Sequence, residues 1–170
     1  VSLGGEPIGF RDDQNNPIGY DVDVATMLAD KLGVKVEFTD VSGDARVSML
    51  VANQLDLVVA NTSATLTRAK TVSFSIPYNR AGLRIIVQAD AGIEDSSMLD
   101  YLATKDPSLT TLPGLYSNDP IGIAIAQGDP DLQRWVDMFV SDYIQSGAYE
   151  ANYKKWWGEK ANPPVLTPLW

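Results

Sequence analysis

The sequence predicts an α/β fold in which a parallel-rich sheet is flanked by helices, and three observations predict it. First, Val24, Leu28 and Leu32 recur at helical spacing in 21–32, and Gly33 stands where a helix stop belongs. Val34, Val36 and Phe38 then alternate with Lys35, Glu37 and Thr39, the period of a strand. Second, a helix over 44–53 leads into 55–60, a short apolar run of the kind covered on both faces. Third, Asp129-Pro130 pairs an N-cap with Pro at the first helical position, and Leu132, Trp135, Val136, Phe139, Val140, Tyr143 and Ile144 follow on one stripe. Helix-strand-helix-strand alternation implies parallel pairing with right-handed crossovers. The carboxyl ends of those strands then form the crevice, and the turn 61–68 stands at its edge.

The remaining elements are shorter. After Pro77-Tyr78 the pattern predicts a strand at 82–88, a helix at 96–103 and a strand at 121–126. Gly147 ends the helix opened at Asp129, and a last helix over 149–157 ends at Gly158. The tail with Pro163-Pro164 and Trp170 is expected to lie extended over the surface.

With 170 residues, 45% apolar and 21% charged, the chain can bury a core. Its net charge of −9 repels phosphate backbones and anionic lipid, which argues against nucleic acid and membrane-surface partners. No apolar run approaches the roughly 20 residues of a membrane span. A signal peptide, if the chain is exported, is expected to be removed or to lie outside this sequence. Histidine and cysteine are absent, which excludes Ser-His-Asp and Cys-His nucleophiles, His/Cys zinc sites and disulfides. No cofactor and no metal are expected.

Chemistry concentrates in Asn61-Thr62-Ser63-Ala64-Thr65-Leu66-Thr67-Arg68, where hydroxyls and main-chain N–H groups precede one guanidinium. Such a turn suits a carboxylate, because open N–H donors and the planar Arg fork grip both oxygens. The plainer reading is a helix cap beside a solvated Arg68. Arg46 either faces the cleft and selects an acidic side chain or pairs on the surface with Asp44. Trp135, Phe139 and Tyr143 belong to the buried stripe, and Lys154-Lys155 to a solvated helix face near the C-terminal dipole.

Several segments together resemble the type II periplasmic solute-binding proteins of the polar amino-acid class. They are Pro17-Ile18-Gly19-Tyr20-Asp21-Val22-Asp23, Leu55-Asp56, 65–70, Ser73-Phe74-Ser75 and Pro77-Tyr78, then Gly122-Ile123-Ala124-Ile125, Gly128-Asp129 and 147–158. The resemblance implies two α/β lobes joined by hinge strands that close over an amino acid and deliver it to the permease of an ABC importer. It implies a periplasmic location, or an extracellular, membrane-associated one in a Gram-positive cell. By position, Arg68 matches the α-carboxylate ligand, and Ser63 and Thr65 lie in the same ligand turn. Asn61 would offer its carbonyl to the α-ammonium, and Asp95 an acidic group from the second lobe. Phe10 stands where the family places an aromatic wall. An N-cap before Ser96 for Asp95 and a core role for Phe10 remain the alternatives.

The resemblance breaks in one place. With 1–80 and 130–170 as a discontinuous first lobe, 81–129 is left for a second lobe, about half of a domain's roughly 100 residues. The expected internal deletion lies near 93–94, between Ala91-Gly92-Ile93 and Glu94-Asp95. A lobe cut down in this way exposes a sheet edge, and a homodimer formed through that edge is expected. Two other functions compete with amino-acid binding: a minimal scaffold of the same fold that binds nothing, and a cyclohexadienyl-dehydratase-like enzyme with Glu6 or Glu94 as its acid. Binding without bond breaking is the reading the residues favour.

Overall fold

The computed structural model describes residues 1–43, 45–87, 93–106, 108–111 and 117–169, with backbone alone for 83–87, 93–100, 110 and 111. In chain order, a hairpin of β1 (Phe10–Arg11) and β2 (Pro17–Ile18) precedes α1 (Tyr20–Leu32) and α2 (Ala45–Val51). Then come β3 (Leu57–Val58), a 3₁₀ turn (Arg68–Lys70), β4 (Val72–Phe74), β5 (Asn79–Ala81) and β6 (Leu83–Val87). Next stand β7 (Ile93–Asp95), α3 (Ser96–Lys105), β8 (Thr110–Thr111), β9 (Asp119–Ile121) and β10 (Ala124–Ala126). The chain closes with α4 (Pro130–Gln145) and α5 (Ala148–Trp157).

Local chemistry sets the helix ends. Gly19 precedes α1 with φ 133°, and a Cβ there would stand 2.5 Å from the Ile8 carbonyl oxygen, so only glycine allows this close approach. The close approach brings Ile8 under the helix start, where its carbonyl accepts from Asp21 N–H at 2.9 Å. Gly33, left-handed at φ 70°, closes α1 by donating back to the Ala29 and Asp30 carbonyls. At α4 the Asp129 side chain accepts from Leu132 N–H at 2.9 Å, with Pro130 at the first position, as the sequence predicts.

The strand expected at 34–38 does not form. Among the described residues, Lys35, Val36, Glu37 and Phe38 make no backbone hydrogen bond. Alternation alone cannot make a strand without a neighbour to pair with. In consequence the parallel pairing expected there is missing, and every ladder among the described strands is antiparallel. The strand expected at 121–126 is split, because Gly122 and Ile123 pass between β9 and β10.

The first body sets the order β3-β10-β4 under α2, with Leu50, Val58, Val72 and Ala124 buried in between. The main core lies where α4 lays Val136, Phe139, Val140 and Tyr143 against Tyr20, Val24 and Leu28 of α1, with Tyr149, Tyr153 and Trp157 of α5 beside them. The antiparallel pair β5-β9 leads out to a second three-stranded sheet, β7-β6-β8, with α3 packed against it. Ile93 and Glu94 both belong to β7, which pairs directly with β6, while 88–92 lie outside the described residues. Tyr101 of α3 donates to the Glu6 carboxylate, tying α3 to the loop before β1.

Candidate ligand-binding site

The site is built on the end of β3. After Val58 the chain passes through buried Ala60 and turns at Asn61, which holds φ 44°. Ser63 then lies opposite Ile121 in an isolated antiparallel bridge, whose bonds are made by its neighbours. Ala64 N–H donates to Pro120 at 2.9 Å, and Gly122 N–H to Thr62 at 3.2 Å. In such a pair the residue's own N–H and C=O point away from the partner strand. The Ser63 carbonyl accepts from Arg68 Nη1 at 2.9 Å, which pins the guanidinium against the turn, and the Ser63 N–H is directed to the same side.

Arg68 is half-buried rather than fully solvated. The helix expected after the turn is a single 3₁₀ turn of three residues, and the Thr65 hydroxyl accepts from its Arg68 N–H at 3.3 Å. Thr65 is otherwise exposed. Phe10 is half-buried in β1 and meets the Trp156 ring edge-on, with centroids 5.7 Å apart. Asp95 ends β7 opposite Leu83, and its side chain lies outside the described residues. Thus the structure brings Asn61, Ser63, Thr65 and Arg68 together on one rim, and sets Phe10 against α5.

Two further groups join this rim that spacing alone did not single out. Asp21, 1% exposed, accepts from the Tyr78 hydroxyl at 2.8 Å through Oδ1, and the Asn61 N–H faces the same carboxylate. Burial raises the Asp21 carboxyl to about 6, against the opposing pull of Tyr78, Asn61, the Val1 ammonium and Arg46. Burial together with the Asp21 charge pushes the Tyr78 hydroxyl well above its ordinary range. The signal for Asp21 was present in the sequence: it stands three residues before Val24 and seven before Leu28, on the buried stripe of α1.

Arg46 completes the set from α2. It is half-buried, and burial lowers its guanidinium below the usual range; the Asp21 charge opposes this and the Arg68 charge adds to it. Asp44, the expected surface partner, lies outside the described residues. Four buried side-chain polar atoms lack a partner among the described residues, and three of them are Asp21 Oδ2, Arg46 Nε and Asn61 Oδ1. Buried polar atoms are ordinarily satisfied, so three unpartnered ones on Asp21, Arg46 and Asn61 set this region apart from the rest of the described core.

Behind the rim, hydrogen bonds among buried polar groups hold Asp21 and Tyr78 in place. Tyr20 donates to the Tyr78 carbonyl at 3.0 Å, Tyr143 to the Tyr20 hydroxyl at 3.3 Å, and Asn152 to the Tyr143 hydroxyl at 3.1 Å. Tyr143 and Phe139 are core, as expected. The helix-face lysines are not merely solvated. Lys154 pairs with Glu150 at 2.5 Å, and Lys155 with Asp23 at 2.6 Å, where the Trp156 indole also donates at 2.7 Å. The two contacts to Asp23 join α5 to α1, while the Lys154–Glu150 pair lies within α5.

Comparison with known proteins agrees with this architecture. A probable amino-acid ABC transporter-binding protein of Haemophilus influenzae is 36% identical over 83 residues, 49% of this chain and 32% of that protein. The match therefore spans about a third of that relative's length. The ABC transporter glutamine-binding protein GlnH of Bacillus subtilis is 23% identical over 196 aligned positions, covering 81% of this chain and 72% of that one. That alignment is longer than this chain, so the relative carries residues with no counterpart here. A cyclohexadienyl dehydratase of Pseudomonas aeruginosa also matches, at 31% over 77 residues, 45% of this chain and 29% of the enzyme. Among solved structures, an ancestral cationic amino acid solute-binding protein superposes with a TM-score of 0.85 at 25% identity, over 92% of this chain and 93% of its own. The type II periplasmic-binding-protein fold is thereby established, and no described helix is long and apolar enough to cross a membrane. The sequence profile of the bacterial extracellular solute-binding proteins, family 3, matches residues 1–159, and the chain belongs to that family.

Proposed function

We propose that the chain binds a polar amino acid at the 61–68 rim and serves an ABC importer outside the cytoplasmic membrane. The observation that carries this reading is the convergence of Arg68, Arg46 and the outward Ser63 N–H around buried polar atoms that lack partners. In this reading Arg68 grips the α-carboxylate as a planar fork while the Ser63 N–H and hydroxyl add donors. The Asn61 carbonyl receives the α-ammonium, and Asp95 supplies the opposing charge from the second lobe. Thr65 shapes the turn that holds Arg68, and Phe10, braced by Trp156, walls the rim.

The second lobe, 81–129, is in this reading reduced, with the missing segment near 93–94. The alignment longer than the chain and the direct pairing of β6 with β7 support it. Affinity is correspondingly weakened, since one wall of the cleft contributes less. The dehydratase relative favours a second reading, in which Glu6 or Glu94 is a general acid, the Glu94 side chain lying outside the described residues. Against it, Glu6 is exposed and its carboxylate accepts from Tyr101, whereas proton donation at neutral pH calls for an enclosed, desolvated carboxyl.

Isothermal calorimetry with a panel of glutamate, glutamine, arginine, lysine, cystine and a cyclohexadienyl acid tests the proposal. At least one amino acid is expected to bind, and Arg68→Ala to weaken it by about a hundredfold, the value of a charge-assisted bidentate contact of about 3 kcal/mol. Binding that Arg68→Ala leaves unchanged would refute the assigned site, and dehydration of the cyclohexadienyl acid would favour the enzyme.

A further inference from the structure

The loop before β1 carries Glu6 on a fixed post. Gly5 and Gly9 exchange backbone hydrogen bonds at 3.0 and 3.1 Å, which close Glu6, Pro7 and Ile8 into one turn. The Pro7 carbonyl accepts from Tyr20 N–H at 3.0 Å and the Ile8 carbonyl from Asp21 N–H at 2.9 Å, so the turn is seated on the start of α1 beside the buried Asp21. A Cβ at Gly9 would stand 2.2 Å from the Ser2 carbonyl oxygen, which shows how closely the first residues pack on this turn.

Helix α3 reaches the same post from far along the chain. It packs on β6, β7 and β8, and the chain enters and leaves that sheet through the pair β5-β9. The Tyr101 hydroxyl donates to the Glu6 carboxylate, the Tyr101 ring rests against the main core, and Lys105 Nζ stands 5.0 Å over that ring. A hydroxyl on a carboxylate makes a charge-assisted bond, and the ammonium over the ring adds a cation–π contact. Burial, and then the bond to Glu6, raise the Tyr101 hydroxyl above its ordinary value, so it remains a donor at neutral pH.

We infer that Glu6 and Tyr101 are positioning residues, which clasp α3 to the first lobe and set Asp95 against the 61–68 rim before any amino acid arrives. The inference rests on the proposed function, in which Asp95 meets the α-ammonium. Asp95 is the residue before α3, and Tyr101 lies less than two turns further on, about 9 Å along the axis at a rise of about 1.5 Å per residue. Fixing Tyr101 therefore fixes the helix start. A crossing of two strands such as β5 and β9 is the kind of hinge about which a lobe swings, and a hydrogen bond away from the hinge holds that swing at one angle. A clasp formed without ligand also removes part of the ordering cost from binding.

The chain holds no cysteine, so spin labels on Thr104→Cys and Arg134→Cys, exposed on α3 and α4, report one distance by double electron–electron resonance. Without ligand the parent is expected to give one dominant distance. Tyr101→Phe keeps the ring and removes the donor, and Glu6→Ala removes the acceptor and leaves the ring in place. Each is expected to lower the population at this distance, relative to longer ones, by about fivefold, the worth of one ordinary hydrogen bond. The double variant should lower it no further, because partners in one bond share its loss. Glu6→Ala alone carries the test should Tyr101→Phe fail to fold. One unchanged distance in every chain would overturn the proposal, and so would a parent already spread over several distances or an additive loss in the double variant. Because no ligand is present, these outcomes are separate from amino-acid binding at the rim, which calorimetry with Arg68→Ala judges.

Discussion

Lowering the pH should stabilise this protein through one carboxylate, against the usual trend. Asp21 is 1% exposed, and burial raises its carboxyl from an ordinary 3.8 to about 6 in the folded chain. A group whose folded pKa is higher binds more protons in the native than in the unfolded state between those two values. Stability from Asp21 is therefore full below about pH 4, falls as pH rises towards 6, and stays low above it. At 1.36 kcal/mol per unit the span is about 3 kcal/mol, with the opposing pull of Tyr78 and Arg46 already contained in the value of about 6. Asp12 and Asp106 act in the opposite sense. Hydrogen bonds to Asn16 and to Ser108 hold them below the ordinary carboxylate value, so their contribution is lost as pH falls below about 4. Urea unfolding of the parent and of Asp21→Asn, at half-unit steps from pH 4 to 8, separates the two effects, since all other carboxylates cancel in the difference. The substitution keeps an acceptor for Tyr78 and places an amide where Oδ2 lacks a partner, which adds an offset that does not depend on pH. The stability of the parent relative to Asp21→Asn is expected to fall by about 2–3 kcal/mol between pH 4 and 7. A flat difference would refute the claim that Asp21 is buried and charged at neutral pH.

Other outcomes follow from single positions. Gly19→Ala puts a Cβ 2.5 Å from the Ile8 carbonyl oxygen at a φ of 133°, and should cost about 2 kcal/mol or more, read as a fall in Tm of about 5 °C or more. In the sheet β7-β6-β8, β7 and β8 are the outer strands, and light scattering at rising concentration is expected to show a dimer formed through one of those edges. A mass that stays monomeric at high concentration would count against that edge as an interface.

Helices and their ends were legible because their causes are local. The 24-28-32 spacing marks α1, Gly33 its left-handed stop, and Asp129-Pro130 the start of α4, each within a few residues of the feature it specifies. The 34–38 segment was not, although its alternation is clear, because a strand is made by a neighbour and the neighbour lies outside the local pattern. The turn 61–68 was legible as a concentration of hydroxyls before Arg68, yet the anchoring of its guanidinium on the Ser63 carbonyl depends on the bridge to Ile121, far along the chain. Asp21 stood on a buried stripe where an apolar residue is the rule. A carboxylate in that position is a local inconsistency of the kind that functional sites carry.

Amino-acid binding at the 61–68 rim is tested most directly by a ¹⁵N–¹H titration with the tightest ligand of the calorimetric panel. The largest shifts are expected on the main-chain amides of Asn61, Ser63 and Thr65 and on the Arg68 and Arg46 side-chain N–H groups, and are expected to vanish in Arg68→Ala. Shifts centred away from this rim, or none at saturating ligand, would contradict it.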